Sequence, residues 1–163
     1  MIEAAPEFDE LRLRRLLAER RWAALGTLDD GVPYVSWVAC TLAPQSSVVV
    51  FHLSRLALHT RNLLTNPNIS LALTESDDDQ ANPQQLARLS LQGLVRPVAR
   101  DEGDYGALRE CYLLKFPKAA LTFDFGDFEL FRFSPDRGRY VEGFGRTHEW
   151  DAEALQTVMR AAN

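Results

Sequence analysis

Serine, histidine and asparagine side chains gather in one short stretch, Phe51 to Glu75 (FHLSRLALHTRNLLTNPNISLALTE), at a spacing suited to holding an anion. An apolar run, Val48 to Leu53, stops at Ser54. A short helix is expected from there to Leu64, Asn66-Pro67 breaks it, and another strand follows. Ser54 is a good N-cap, because its hydroxyl oxygen can accept from N–H groups that a first helical turn leaves unpaired. Leu56, Thr60, Leu63 and Leu64 recur at helical spacing and are expected in the core. Arg55, His59, Asn62 and Asn66 then form a polar stripe on the other face. A helix N-terminus with a hydroxyl and nearby arginine and histidine suits phosphate. The same residues also make an ordinary capped surface helix, and residue types alone favour that simpler reading.

Other chemistries find less support. Cys40 and Cys111 are isolated, without CxxC spacing, and are expected to be reduced buried thiols. His52, His59 and His148 form no HxH or HxxxH pair, so no zinc site is expected. Asp77-Asp78-Asp79 lacks the glycine and terminal glutamate of a calcium loop and reads as a solvated tip. No Ser/His/Asp or paired-carboxylate constellation assigns a catalytic residue. The formal charge of −5 argues against nucleic acid as a partner. The basic run Arg12, Arg14, Arg15, Arg20, Arg21, interleaved with leucines, reads as the wet side of an amphipathic helix. No apolar run nears the roughly 20 residues of a bilayer span, and the opening has no signal-peptide core; a cytoplasmic location and no membrane partner are expected.

The elements that would position these residues form one domain over 1–163, with 46% hydrophobic residues and no linker or repeat. Strands are expected over Trp22–Leu28, Val32–Leu42 (after the turn Asp29-Asp30-Gly31), Val48–Leu53, Ile69–Glu75 and Leu86–Val98. Asp127–Phe133 and Arg139–Phe144 are read as two further strands joined by a turn, Ser134 to Gly138. Val35, Trp37, Ala39 and Thr41 face away from Tyr34, Ser36, Val38, Cys40 and Leu42, so both faces of that strand are partly apolar. Gly93 inside a strand marks a bulge or a close approach. Helices are expected at the start, over Asp104–Lys115, and in the tail, capped by Asp151 with Leu155, Val158, Met159 and Ala162 on one side. The pattern is α+β, mainly β: a six-stranded antiparallel barrel with flanking helices. The interior of so small a barrel is filled, so a sizeable ligand needs an outer groove or a subunit interface.

Four words in this order, GVPYVSWV (31–38), LSRLALHTRNLLTNPNISL (53–71), ARLSLQG (87–93) and DFELFRF with RYVEGFGRT (127–147), are a resemblance to a known group. The chain resembles the FMN-binding split-barrel superfamily, the pyridoxamine 5′-phosphate oxidase-like proteins, over a core of about 22–147, and within it the branch of haem-utilisation proteins. The resemblance implies a homodimeric split β-barrel with FMN in clefts at the subunit interface. Ser36, Trp37 and Val38 would run along the flavin ring. Backbone around His52 and Leu53, with Ser54, His59, Thr60 and Asn62, would surround the phosphate. Arg88 would approach from an adjacent strand, and Arg146, in GFGR, would reach the cleft from the partner subunit.

The departures matter. The oxidase has an Arg-Lys pair where this chain has Leu58-His59, an arginine at Ser36 and a lysine at Thr41, so the phosphate grip is weaker here. Glu142 and Thr147 replace small residues of the haem-utilisation branch. The resemblance implies an FMN-dependent oxidoreductase acting on a small-molecule substrate. The alternative is haem as the cofactor, bound or broken down in the same cleft, with His52, His59 or His148 as candidate axial ligands and His148 expected on a polar, solvent-exposed tail. A non-catalytic flavin-binding module is the third reading.

Overall fold

The computed structural model describes residues 8–79 and 82–161. Asp30 and Gly31 adopt positive φ (49° and 82°), the geometry of a two-residue hairpin turn whose twist matches its strands. They join β1 (Trp22–Asp29) to β2 (Val32–Leu42). The remaining strands are β3 (Val49–Ser54), β4 (Asn68–Thr74), β5 (Arg88–Pro97), β6 (Phe128–Gly143) and β7 (Arg146–Trp150). Hydrogen-bonded neighbours run β3-β2-β1-β4-β5-β6-β7, and β6 returns to pair with β3. Strands β1 to β6 therefore close into the expected antiparallel six-stranded barrel, and β7 is added at the side of β6.

Two strand expectations are corrected. Asp127–Phe133 and Arg139–Phe144 are one continuous strand, β6, and the Ser-Pro-Asp-Arg-Gly segment between them is a bulge instead of a turn. The register slips opposite Gln92/Gly93. A Cβ on Gly93 would lie 2.3 Å from the Ser134 carbonyl oxygen, so glycine is needed for β6 to pass this closely. The bend lets the first half of β6 pair with both β3 and β5, which closes the barrel. The second correction is β7, whose residues read from the sequence as a polar tail.

The barrel is filled by alternate side chains, Leu25, Val38, Phe51, Leu71, Leu91, Phe131 and Phe133 among them. A second cluster lies outside the β3–β6 wall, under α3 (Tyr105–Lys115) and the 3₁₀ segment Pro117–Asp124, and includes Val50, Leu108, Tyr112, Phe116, Phe123 and Leu130. Cys40 and Cys111 are free and buried, as expected. In the tail helix, α4 (Ala152–Ala161), Leu155 and Met159 are buried and Asp151 caps the first turn through Ala154 N–H; Ala162 lies outside the described residues.

The opening helix, α1 (Glu10–Glu19), buries Leu13, Leu16 and Leu17, with Asp9 as its N-cap. Arg12 is not on the wet side. Its guanidinium forks onto Glu75 and donates to the carbonyls of Gln85 and Glu142. At the other end of α1, Lys115 Nζ donates to the Arg20 carbonyl at 2.6 Å. One ion-paired arginine thus fastens the start of α1 to the barrel, and one lysine cap ties its end to α3. No described helix is long and apolar enough to cross a membrane.

Gly93→Ala forces the β5–β6 backbones apart, and we expect it to cost about 2 kcal/mol or more, read as a fall in Tm of several degrees. An unchanged Tm would mean that the bulge is not fixed by this close approach.

Candidate functional site

Strands β2 and β3 pair only through Cys40–Phe51, Thr41–Val50 and Leu42–Val49. Beyond that point β2 stays with β1 along 32–39, while β3 stays with β6 to Ser54. The two strands part, and each leaves a row of backbone N–H and C=O groups without a strand opposite. Ser36, Trp37 and Val38 line one side of this split; His52, Leu53 and Ser54 line the other. His59, Thr60 and Asn62 lie on the helix that follows β3, and Thr60 and Asn62 are buried there.

That helix, α2 (Leu58–Thr65), starts later than expected. Its N-cap is Ala57, which offers no side-chain hydrogen bond, and Ser54 instead accepts from Leu56 N–H in the turn before it. The shift rotates the helix relative to its expected faces. Leu56 is 78% exposed and Leu64 is also exposed, whereas Asn62 is buried with Thr60 and Leu63. Asn62 Nδ2 donates to Thr27 Oγ1 (3.2 Å), which pins α2 to β1. His59 Nδ1 lies 3.1 Å from Ser36 Oγ, which ties the half-buried imidazole to β2, and burial lowers its pKa.

The expected phosphate cradle differs from its sequence reading. Ser54 Oγ donates to Asp127 Oδ2 at 2.5 Å, and Arg55 is paired with Glu129 at 2.6 Å. Two carboxylates therefore occupy the polar partners on which an anion would depend. Asp127 and Glu129 escaped the sequence reading because only the β3–β6 pairing brings them to Ser54 and Arg55, more than 70 residues away.

The histidines separate cleanly. His52 is 7% exposed, stacked on Phe123 (centroids 3.7 Å apart) with Nδ1 3.2 Å from Thr122 Oγ1, outside the barrel wall. Burial, with the nearby Arg100 and Arg109 cations, pushes its pKa down to about 4. His148 is not on an exposed tail. It is 9% exposed on β7, beside Phe8, Tyr140 and Trp150, with Nε2 3.4 Å from Glu142 Oε1. Phe8 and β7, neither foreseen as its cover, explain the difference.

Arg88 and Arg146 do not reach the split within one chain. Arg88 opens β5, opposite Thr74 and Val141, and two strands, β1 and β4, stand between β5 and β2. Arg146 opens β7 and pairs with Glu142 at 2.9 Å. On the outer face of the sheet, Val35 and Trp37 are 65% and 64% exposed. Val35 borders the first of two adjoining hollows, of about 480 and 620 Å³, that share Ser70, Gln92 and Arg137, with Gly26 in the wall of the first and Ala72 and Ser90 in that of the second.

A family model described as CREG, beta-barrel matches residues 12–155. The chloroplastic heme oxygenase HOZ of Arabidopsis thaliana is 39% identical over 133 residues, which cover 82% of this chain but only 39% of that protein. Heme oxygenase HutZ of Vibrio cholerae is 28% identical over 161 residues, covering 92% of this chain and 82% of that one. Among solved structures, a heme binding protein from Mycobacterium smegmatis superposes with a TM-score of 0.78 at 27% identity, over 93% of this chain and 61% of that one. Structures at 12–16% identity, a FAD-binding protein among them, share the fold alone.

The low pKa of His52 makes stability acid-sensitive. Its folded value lies below the ordinary 6.5, so its contribution is whole above pH 6.5 and is lost as pH falls toward 4. His52→Phe keeps the ring stack without a titrating group. We expect its Tm to fall by several degrees less than wild type between pH 6.5 and 4.5; equal losses would contradict this placement.

Proposed function

Because this chain belongs to the CREG β-barrel family, we propose that it binds haem at the split between β2 and β3 and handles it there, by holding it or by breaking it down. The observation that carries the choice of haem over FMN is the engagement of Ser54 by Asp127. A phosphate at Ser54 would approach a carboxylate that already takes the hydroxyl proton, and the adjacent cation, Arg55, is committed to Glu129. The expected anion site is thus closed by the chain's own anions. Haem makes no such demand at this place.

The residues at the split fit a large planar, mostly apolar group. Trp37 and Val35 offer exposed apolar surface beside the unpaired edge of β2. His59 offers an imidazole that burial keeps neutral. The haem oxygenase names of two relatives and the haem-binding name of a third support the same ligand. When bound, haem supplies the redox chemistry of its iron. The chain's part is to orient the ring, shelter it from water and hold polar groups at fixed positions.

A second copy of the chain is part of the reading. The exposed apolar residues of β2 and the small residues beside them form a surface that a partner would cover. Arg88, which cannot reach the split of its own chain, would then be available to that of the partner, whereas Arg146 is already paired with Glu142.

An absorption titration tests the ligand. Hemin is expected to give a saturable Soret change with an affinity at least about tenfold above that for FMN, and Asp127→Asn to strengthen FMN binding several-fold by removing the opposing charge. Tight FMN binding without hemin binding would overturn the proposal.

A further inference from the structure

The basic run at residues 12–21 is not used up by the fold. Arg12, Arg14 and Arg20 each meet a glutamate. Arg21 has no carboxylate partner among the described residues, and its guanidinium lies over the Phe116 ring, 5.3 Å from the centroid. There it lines a hollow of about 810 Å³ between β2 and the junction of α3 with the 3₁₀ segment. Ala39, Tyr112 and Phe116 supply apolar wall, and the exposed Leu114 stands at the side. Trp22, in register with Ala39 on the β1–β2 ladder and also exposed, extends that apolar surface. The charged residues of the lining are Arg21, Lys115 and Lys118, and no carboxylate is among them.

Lys115 carries its charge into this hollow. Two of its three ammonium protons go to the carbonyls of Leu17 (3.4 Å) and Arg20 (2.6 Å), neutral acceptors that leave the charge uncompensated and one N–H unspent. Burial lowers the Lys115 pKa, and the nearby Arg21 and Arg20 cations act in the same direction. Lys118 is exposed and makes no ion pair among the described residues. Three cations therefore surround one hollow in a chain whose net charge is −5. A concave surface lined by one sign of charge concentrates ions of the other sign.

We propose that this hollow binds an organic carboxylate, its head between Arg21 and Lys118 and its apolar body over Ala39 and Leu114. The planar fork of Arg21 matches a carboxylate in shape, and a bound anion relieves the repulsion among the three cations. The apolar body covers surface that otherwise faces water. The volume suits a small molecule, since such sites ordinarily measure roughly 300–1,000 Å³. The proposal does not depend on the haem reading.

The test titrates the isotope-labelled full chain with sodium octanoate and follows backbone amide shifts by NMR. Saturable shifts are expected at Arg21, Ala39 and residues 112–119, with a dissociation constant on the order of 1 mM or below. Octanol, which lacks the charge, and inorganic phosphate, which lacks the apolar body, should each bind wild type about tenfold or more weakly. Arg21→Gln with Lys118→Gln, checked for folding by thermal melts, should weaken octanoate binding by about tenfold or more. Octanol or phosphate binding as tightly as octanoate would overturn the proposal. So would unchanged affinity in the double variant, or octanoate shifts absent from this hollow.

Discussion

Everything at the candidate site follows from the parting of β2 and β3 after the Cys40–Phe51 pair. Each strand holds its other neighbour, so neither can turn back to close the opening. Backbone N–H and C=O groups carry a large cost when buried unpaired, so an opening of this kind must stay wet, be paired or be filled. The bend in β6 makes the parting permanent. By pairing with β3 and β5 at once, it draws β3 toward the far side of the barrel. Gly93 in turn permits that bend, which links a single missing Cβ to the existence of the split.

Charge then decides what the split can hold. Helix α2 stands at its end, and a helix N-terminus ordinarily favours an anion. Here the pairing of β3 with β6 delivers Asp127 to Ser54 and Glu129 to Arg55, so local negative charge opposes the field of the helix. What remains accessible is a neutral imidazole and apolar strand surface. The balance moves from phosphate recognition toward a planar ligand with a metal centre, without any change of fold.

The barrel was legible in the sequence because its signals are local. The Asp30-Gly31 hairpin, alternation along β2, the Gly93 approach and the leucines of α1 each depend on neighbours within a few residues. The four words at 31–38, 53–71, 87–93 and 127–147 pointed to the split-barrel superfamily, and the segments they marked on β2, β3 and α2 lie near one another in the structure. What could not be read depends on contacts between distant segments. Ser54 looks like a helix cap until Asp127 is brought beside it across the β3–β6 ladder. Arg12 looks solvated until Glu75 and the Gln85 carbonyl close around it. Ser134 to Gly138 has the composition of a turn, yet proline and glycine serve a bulge equally well. His148 reads as part of a polar tail because the aromatic residues that cover it lie both after it and far before it in the chain.

The most direct test of the account is an iron-edge anomalous difference map from crystals of the hemin-loaded protein. The account predicts one iron peak per chain in the split between β2 and β3, with the porphyrin against the unpaired edge of β2 at residues 35–38. An iron peak elsewhere, with the split between β2 and β3 holding only solvent, would contradict it.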